Sequence, residues 1–228
     1  MRATGWKVLG VAAVLAAGGV LIGLYVSKLT VDQGSASYTV PVSTQNGQKV
    51  VDLTIQTDAA VGPSTSPAHP DYVSYLIRDT QGKWVRRTVW NLPSNATVHV
   101  TIYNFDGDSG LRNPLFARVQ GVDGNAYLLD GKTRTSWINP NDASHTFAVP
   151  SFGIVVPLPG VADNAKNQCG YGPCSLSMAH HTVQFTFHTT KPGHYRWQCF
   201  VPCAAGWIDG FGGPMQTIGY MDGFLNVI

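Results

Sequence analysis

The hydrophobic positions of the chain form two patterns: an unbroken run near the N-terminus, and a period-two alternation over most of the remainder. The run covers 19 residues, from residue 8 to residue 26, and contains no charged side chain. As a helix it would be about 28 Å long, close to the roughly 30 Å hydrocarbon core of a membrane. The pattern therefore predicts one transmembrane helix within residues 1–28.

The charges around this run predict its orientation. Arg2 and Lys7 precede it, so the positive-inside rule places the N-terminus in the cytoplasm and the rest of the chain on the periplasmic or extracellular side. A cleaved signal peptide is the alternative, since residues 16–18 are small. The run is longer than the usual apolar region of such a peptide, so we expect a retained single-pass anchor in the cell membrane.

Small residues on the predicted helix indicate a partner in the membrane. Gly19 and Gly23 form a Gly-x-x-x-Gly pair, with Ala12 and Ala16 before it. Small residues four positions apart let two helix backbones approach closely. We expect this helix to dock against the helix of another membrane subunit, although small residues are also common in any membrane span.

After residue 28 the pattern predicts short strands joined by turns, with no convincing helical period. In segment 97–103 the apolar residues Val98, Val100 and Ile102 alternate with polar ones, which places His99 on the solvent side. The hydrophobic alternation and the Gly and Pro positions predict strands at 38–42, 50–56, 72–78, 84–90, 97–103, 145–149, 153–156, 182–188, 193–199 and 224–228. Many short strands of this kind are typical of a β-sandwich or barrel.

Composition narrows the function classes. The net charge is +2, only 12% of residues are charged, and no basic run occurs, which argues against a nucleic-acid partner. About 200 residues follow the anchor, enough for one sizeable core. We therefore expect an anchor at 1–28, a connector at 29–46, and an extracytoplasmic domain with inserted loops at 47–228.

The four cysteines lie in the last third of the chain, at Cys169, Cys174, Cys199 and Cys203. An extracytoplasmic location permits disulfides, and a local Cys169–Cys174 bond within a loop is expected. Cys199 ends a predicted strand and Cys203 follows it in a turn. Thiolates at this spacing can share a soft metal such as copper, or they can close a small disulfide ring. Cross-pairing with the first two cysteines is a third possibility, because four cysteines allow three pairings.

Two segments resemble subunit II of haem-copper oxidases. One is His-Thr-Phe-Ala-Val-Pro-Ser-Phe-Gly-Ile, which begins at His145, and the other is Lys-Pro-Gly-His-Tyr-Arg-Trp-Gln-Cys, which ends at Cys199 and continues to Cys203. The resemblance implies a cupredoxin-like Greek-key β-sandwich with copper at one end. It also implies that His145, Cys199 and Cys203 are copper ligands, together with the backbone carbonyl of Val201.

The chain departs from that family at other ligand positions. Trp207 stands where the resemblance would place a second histidine, Gly210 stands where it would place a methionine, and no histidine follows His194. Met215 is the candidate for a soft axial ligand. These departures indicate a degenerate or lost copper centre, with a Cys199–Cys203 disulfide as the metal-free alternative.

The histidines before Cys199 are the remaining candidates for the missing imidazole. His194 lies five residues before Cys199 on one predicted strand, so the two side chains face opposite sides. His180 and His181, with Met178, form a cluster near Cys169 and Cys174 that is a weak candidate for a separate copper or zinc site.

The sequence contains no nucleophile elbow, phosphate-binding loop or zinc-protease helix. The role expected from the resemblance is a membrane-anchored subunit of a respiratory electron-transfer complex. Such a subunit is non-catalytic or relays electrons, and it contacts other membrane subunits through its helix and its outer domain. The alternatives are an independent anchored copper electron-transfer protein with unusual ligands, and a metal-free accessory subunit.

Overall fold

A computed structural model describes residues 2–30, 36–61, 72–203 and 213–228 of the chain. It divides into two compact units, Met1–Asp32 and Gln33–Ile228. In the first unit, a single helix α1 extends over Arg2–Thr30. Its segment Gly5–Ser27 is long and apolar enough to cross a membrane, which agrees with the predicted apolar span.

The second unit is built from β-strands in two sheets. The strands in the described residues are β1 (Tyr38–Thr39), β2 (Val42–Gln45), β3 (Gln48–Val61), β4 (Tyr72–Arg78), β5 (Trp84–Val85), β6 (Val89–Leu92), β7 (Ala96–Asn104), β8 (Tyr127–Leu129), β9 (Thr133–Thr135), β10 (Ala143–Val149), β11 (Ile154–Pro159), β12 (His181–His188), β13 (Gly193–Gln198) and β14 (Asp222–Val227). One sheet has the order β1-β6-β14-β13-β10-β11, and the other has the order β5-β4-β3-β7-β12-β8-β9, with β2 paired to β3. The predicted all-β class with two packed sheets and one N-terminal helix is confirmed.

Most predicted strands are present, although β3 extends over residues 48–61 rather than the predicted 50–56. The predicted strand 38–42 is wrong as a single element, because its two ends belong to β1 and β2, which lie in different sheets. The alternation in β7 is confirmed, because Val98, Val100 and Ile102 are buried and His99 is exposed. The predicted strand 84–90 is wrong as a single element. It is two strands, β5 and β6, which belong to different sheets. The pattern also missed β8 and β9, which are three residues each and too short to show an alternation.

Aromatic rings fill the core between the sheets. Trp90 on β6 and Trp197 on β13 stack with ring centroids 4.7 Å apart, and Phe147 on β10 stacks against both. Tyr75 on β4, from the opposite sheet, meets the Trp197 ring edge-on at 5.0 Å. This stack joins the two sheets, and it lies two residues along the chain from both His145 and Cys199.

Strands β10 and β13 are neighbours and antiparallel, with Ala148 opposite Gln198. The residue after β13 therefore lies beside the middle of β10. A register shift between β10 and β11 occurs at Ala143 to His145, as in a β-bulge, which re-aims nearby side chains. Both features place His145 and Cys199 at the same place in the sandwich.

We expect Gly223→Ala to destabilise the protein. A Cβ atom at this position of β14 would lie 1.8 Å from the carbonyl oxygen of Thr88. That oxygen accepts hydrogen bonds from the Phe224 backbone N–H and the Trp197 indole N–H, so it is held in place. Overpacking of this kind costs about 1–3 kcal/mol, measurable as a lower denaturant midpoint. Gly170→Ala, where nothing lies within 4 Å of the added Cβ, is the control, and an equal shift in both variants would contradict the prediction.

Candidate metal centre

His145 is buried and held from both sides of its ring. Its Nε2 atom lies 3.0 Å from Oδ2 of Asp106, in the loop after β7. Its Nδ1 atom lies 3.0 Å from Sγ of Cys203 and 3.9 Å from Sγ of Cys199. A carboxylate on one ring nitrogen fixes the orientation and tautomer of the imidazole, as it does for many metal-bound histidines. Asp106 therefore directs the Nδ1 atom towards the two sulfur atoms.

The two cysteines occupy the turn that follows β13. Their sulfur atoms are 3.1 Å apart and both residues are free and buried, so the predicted alternative of a Cys199–Cys203 disulfide is not found. The carbonyl oxygen of Val201 lies 3.0 Å from the Cys203 sulfur and 3.6 Å from the Cys199 sulfur. The turn thus directs one backbone oxygen and two sulfur atoms to one point.

Backbone donors support the Cys199 sulfur. The N–H of Thr146 donates to it at 3.3 Å, and the Thr146 hydroxyl accepts the Phe200 N–H at 2.8 Å. Thr146 directly follows His145 on β10, so one short stretch of strand positions both the imidazole and the sulfur. Hydrogen bonds to a thiolate favour its charged form.

The structure brings together three of the four predicted metal residues. The donor atoms of His145, Cys199 and Cys203 lie within 4.8 Å of one another. For Met215, the structure records that its carbonyl oxygen accepts a hydrogen bond from Gln198 and that its partly buried side chain packs on the core, so its role as an axial ligand stays a prediction. Trp207 and Gly210 lie outside the described residues.

The donor chemistry fits a thiophilic transition metal. Two thiolates, one imidazole and one carbonyl oxygen are soft or borderline ligands that suit copper. The residues are buried, and the imidazole is already oriented by Asp106. Sequence reasoning missed Asp106 and Thr146. Asp106 is not marked by any spacing motif, and Thr146 stands out only as part of the segment 145–154.

The pKa values of the three side chains in the metal-free centre are strongly shifted. Burial lowers the pKa of His145, but hydrogen bonds to Asp106 and Cys199 outweigh it and raise that pKa to about 9. Burial raises the pKa of Cys199, but hydrogen bonds from Cys203 and His145 outweigh it and hold the pKa well below the ordinary value. Burial and the neighbouring Cys199 both raise the pKa of Cys203. These shifts favour a charged His145–Cys199 pair beside a protonated Cys203 thiol.

This pattern predicts how the stability of the metal-free protein depends on pH. The contribution of His145 is complete below about pH 6.5 and is lost as the pH rises through 9. The contribution of Cys199 grows with pH up to its ordinary pKa of 9.0, so the two slopes oppose each other between pH 6.5 and 9. Above pH 9 the folded state retains the Cys203 proton that the unfolded state loses. The free energy of unfolding should then fall, with a slope that grows from about half of 1.4 kcal/mol per pH unit at pH 9 towards that full value above pH 10.

Denaturant titrations of the metal-free protein between pH 7 and pH 10 measure this slope. Above pH 10 the raised pKa values of Tyr75 and Tyr127 add to the loss, so the informative window is pH 9 to 10. Cys203→Ser should flatten the curve there, and His99→Ala, which removes an exposed imidazole, should not. A wild-type curve that stays level to pH 10 would contradict the assignment.

A surface cavity of about 330 Å³ opens onto the centre. Its lining includes His145, Cys203 and Pro202, together with Asp106 and Asp108. The centre is therefore buried but lies directly beneath a pocket with two carboxylates at its wall.

The other predicted residues lie apart from this centre. The Cys169–Cys174 disulfide is confirmed. The predicted cluster is His180 and His181 with Met178, near Cys169 and Cys174. In the described part of the chain, neither histidine joins those cysteines in a group of metal donors, and Nδ1 of His180 lies 2.8 Å from the Met178 carbonyl oxygen. His180 packs on Tyr103 and Phe105, and His181 pairs with Asp130. His194 is exposed and stacks on Phe224, in agreement with its expected orientation away from Cys199.

Comparison with models of known protein families gives no match, and comparison with curated proteins gives none either. Among solved structures, the chain is similar to the copper protein rusticyanin, with 16% identity, a TM-score of 0.35, and coverage of 91% of this chain and 94% of that chain. Rusticyanin from Thiobacillus ferrooxidans is similar at 19% identity and a TM-score of 0.33, over 91% of this chain and 94% of that one. A multi-copper oxidase from Pediococcus acidilactici is similar at 9% identity and a TM-score of 0.32, over 84% of this chain and 28% of that protein. Identities and TM-scores this low do not assign a function, so the argument for a metal depends on the donor atoms themselves.

Proposed function

We propose that this protein is a cupredoxin-like copper-binding electron-transfer domain carried on a single N-terminal membrane helix. The observation that supports this most directly is the convergence of His145, Cys199 and Cys203 within 4.8 Å. Each of these side chains is buried, and the carbonyl oxygen of Val201 faces both sulfur atoms. Copper bound there would supply one-electron redox chemistry.

The protein's own residues would orient and stabilise the copper ligands. Asp106 keeps the proton on Nε2 of His145 in the metal-bound state, so that Nδ1 can ligate. The Thr146 N–H stabilises the charge on the Cys199 sulfur. Because the ligands are attached to strand β10 and to the end of β13, both anchored by the aromatic core, their positions should change little when an electron arrives or leaves.

We further propose that the domain acts within a respiratory membrane complex, in the manner of oxidase subunit II. The two segments around His145 and Cys199 support this, because they resemble that family in the same order along the chain. The Gly19 and Gly23 pair on α1 supports contact with another membrane helix. The Cys169–Cys174 disulfide favours an oxidising compartment, which agrees with a cytoplasmic N-terminus and an outer domain.

A metal-free structural subunit is the second candidate. The centre lacks the second imidazole of the complete family pattern, since no histidine follows His194. The centre is also internally satisfied without a metal, because His145 pairs with Asp106 and the two sulfur atoms contact each other. In this version the domain would only cover the outer face of a catalytic subunit.

Purification of the full chain from its native membrane in mild detergent tests these proposals. The copper-binding version predicts about one or two copper ions per chain, with intense visible absorption from a thiolate–copper bond. The complex version predicts co-purification with haem-bearing subunits. Copper without haem would support an independent electron-transfer protein, and haem subunits without copper would support the structural version. A colourless, monomeric protein free of both after growth in copper-replete medium would overturn the proposed function.

A further inference from the structure

A second group of possible metal donors consists of the two sulfur atoms of the Cys169–Cys174 disulfide and a carboxylate beside them. One carboxylate oxygen of Asp58 and the sulfur atoms of Cys169 and Cys174 all lie within 4.8 Å of one another. Asp58 belongs to β3, whereas the cysteines belong to the loop between β11 and β12. None of the three contributes to the centre at His145.

Asp58 is unusual because it is a fully buried carboxyl group without a partner. Its side chain is 0% exposed, and neither carboxylate oxygen has a hydrogen-bond partner among the described residues. Burial, followed by the nearby charge of Asp106, raises its pKa well above the ordinary value. These effects favour the neutral acid, and even a neutral buried polar group normally has a hydrogen-bond partner. An unpartnered carboxyl group beside two sulfur atoms therefore indicates that a ligand binds there.

The loop that carries the cysteines is packed directly against this carboxyl group. A Cβ atom at Gly172 would lie 2.5 Å from Oδ2 of Asp58, so only glycine allows the approach. The Cys174 N–H donates to Oε1 of Gln56 at 2.8 Å, which ties the loop to the same strand as Asp58. The cysteine loop is thus held close to the Asp58 carboxyl group.

A backbone oxygen completes the group. The Tyr171 carbonyl oxygen lies 3.2 Å from the Cys169 sulfur and 3.9 Å from the Cys174 sulfur. Val201 has the same relation to Cys199 and Cys203 in the first centre, since each carbonyl belongs to the second residue after the first cysteine. The two loops therefore present similar sets of two sulfur atoms and one oxygen, and Asp58 takes the place of the imidazole.

We propose that reduction of the Cys169–Cys174 disulfide converts this loop into a Zn²⁺ site. Its ligands would be the two thiolates, the Asp58 carboxylate and the Tyr171 carbonyl oxygen. Zinc bonds of about 2.0–2.3 Å in a tetrahedral site imply donor atoms about 3.3–3.8 Å apart. The Asp58 carboxylate oxygen already lies within 4.8 Å of both sulfur atoms. The two sulfur atoms are bonded to each other in the oxidised loop, so reduction must let them separate to this spacing. Zinc is favoured over copper(I) because half of the ligands are oxygen atoms.

The reaction balances with an external dithiol as the reductant. A thiolate of the dithiol attacks the sulfur of Cys169, which is partly exposed, and Cys174 leaves as a thiolate. The second thiol of the reductant then displaces Cys169 and closes its own disulfide, so that two electrons and two protons pass to the cysteines. Zinc binding releases the two thiol protons and the Asp58 proton to solvent. In the oxidising compartment proposed for the domain, the disulfide is the resting state. The site would therefore form only where a dithiol reductant reaches the loop.

A zinc titration in a Cys199→Ser/Cys203→Ser background tests this site separately from the copper proposal. The full-length protein is reduced with a dithiol, freed of it by anaerobic gel filtration, and titrated with Zn²⁺ against a chromophoric chelator. We expect about one tightly bound Zn²⁺ per chain after reduction and none before it. Equal zinc binding in the two redox states would overturn the proposal, as would copper(I) binding without zinc binding.

Asp58→Asn and Asp52→Asn form a matched pair for the carboxylate. Both lie on β3, but Asp52 is exposed and faces away from the core. Removal of a direct ligand should weaken zinc binding at least tenfold in Asp58→Asn, with no change in Asp52→Asn. If Asp58→Asn does not fold, Co²⁺ binding by the reduced Cys199→Ser/Cys203→Ser protein tests whether the metal site exists. Visible bands of a tetrahedral, thiolate-bound Co²⁺ would support the site, and their absence would exclude it.

Discussion

Cys199→Ser is expected to remove nearly all bound copper from the protein. Cys199 is fully buried, and its sulfur lies 3.1 Å from Cys203 and 3.9 Å from Nδ1 of His145. Serine leaves a poor ligand for a soft metal. Partners outside the ligand set already change metal affinity about 10–100-fold, so loss of a thiolate should cost at least about 100-fold. Copper per chain and the visible absorption of the loaded protein measure the loss.

The same substitution should leave the fold intact. The serine hydroxyl can accept the Thr146 N–H that donates to the Cys199 sulfur, so no buried donor is abandoned. Near-UV circular dichroism checks this. His99→Ala, which removes an exposed imidazole on the other sheet, should retain full copper loading. Undiminished copper in Cys199→Ser would mean that the metal, if bound, is held elsewhere.

Trp197→Ala is expected to destabilise the domain by roughly 3–5 kcal/mol. The indole is fully buried and stacks on Trp90 at 4.7 Å, with Tyr75 edge-on at 5.0 Å. Its N–H also donates to the Thr88 carbonyl oxygen at 2.9 Å. Alanine would leave a cavity between the two sheets and would remove one of the hydrogen bonds to the Thr88 carbonyl oxygen, which keeps the Phe224 N–H. Chemical denaturation, followed by tyrosine and tryptophan fluorescence, measures the change.

Two further variants separate packing from hydrogen bonding. Trp197→Phe keeps an aromatic ring in the stack but loses the N–H donor, and should cost about 1–3 kcal/mol. Trp137→Ala removes an indole that is 56% exposed and should change stability by less than about 0.5 kcal/mol. If Trp197→Ala were no more harmful than Trp137→Ala, the aromatic stack would not be the principal contact between the sheets.

The Trp197 prediction also concerns the metal centre. Trp197 precedes Cys199 by two residues on the chain, and the hydroxyl of Tyr75 donates to the Thr146 carbonyl oxygen at 3.0 Å. The core therefore supports the same backbone that positions His145 and the sulfur atoms. A variant that loosens this stack should broaden the copper spectrum before it unfolds the protein.

Local patterns in the sequence predicted much of this architecture. The alternation of Val98, Val100 and Ile102 places one face of β7 in the core, because successive side chains of a strand point to opposite sides. The strand 84–90 was wrong as one element, because the chain passes from one sheet to the other after Val85. Residues 84–90 do not alternate between apolar and polar positions, and the single-strand prediction depends on their place after the turn at residues 79–82.

The sequence by itself determined the apolar helix, the β class, and the cysteine and histidine positions from which a centre can be built. Each of these depends on spacing along the chain: hydrophobic length, a period of two, and turn residues. The tertiary structure decided which donors meet. It joined Asp106 to His145 across 39 positions, left Cys199 and Cys203 free, and set Asp58 beside Cys169 and Cys174 rather than His180 or His181. Such convergence follows from the pairing of strands that are distant in sequence, and no local pattern encodes it.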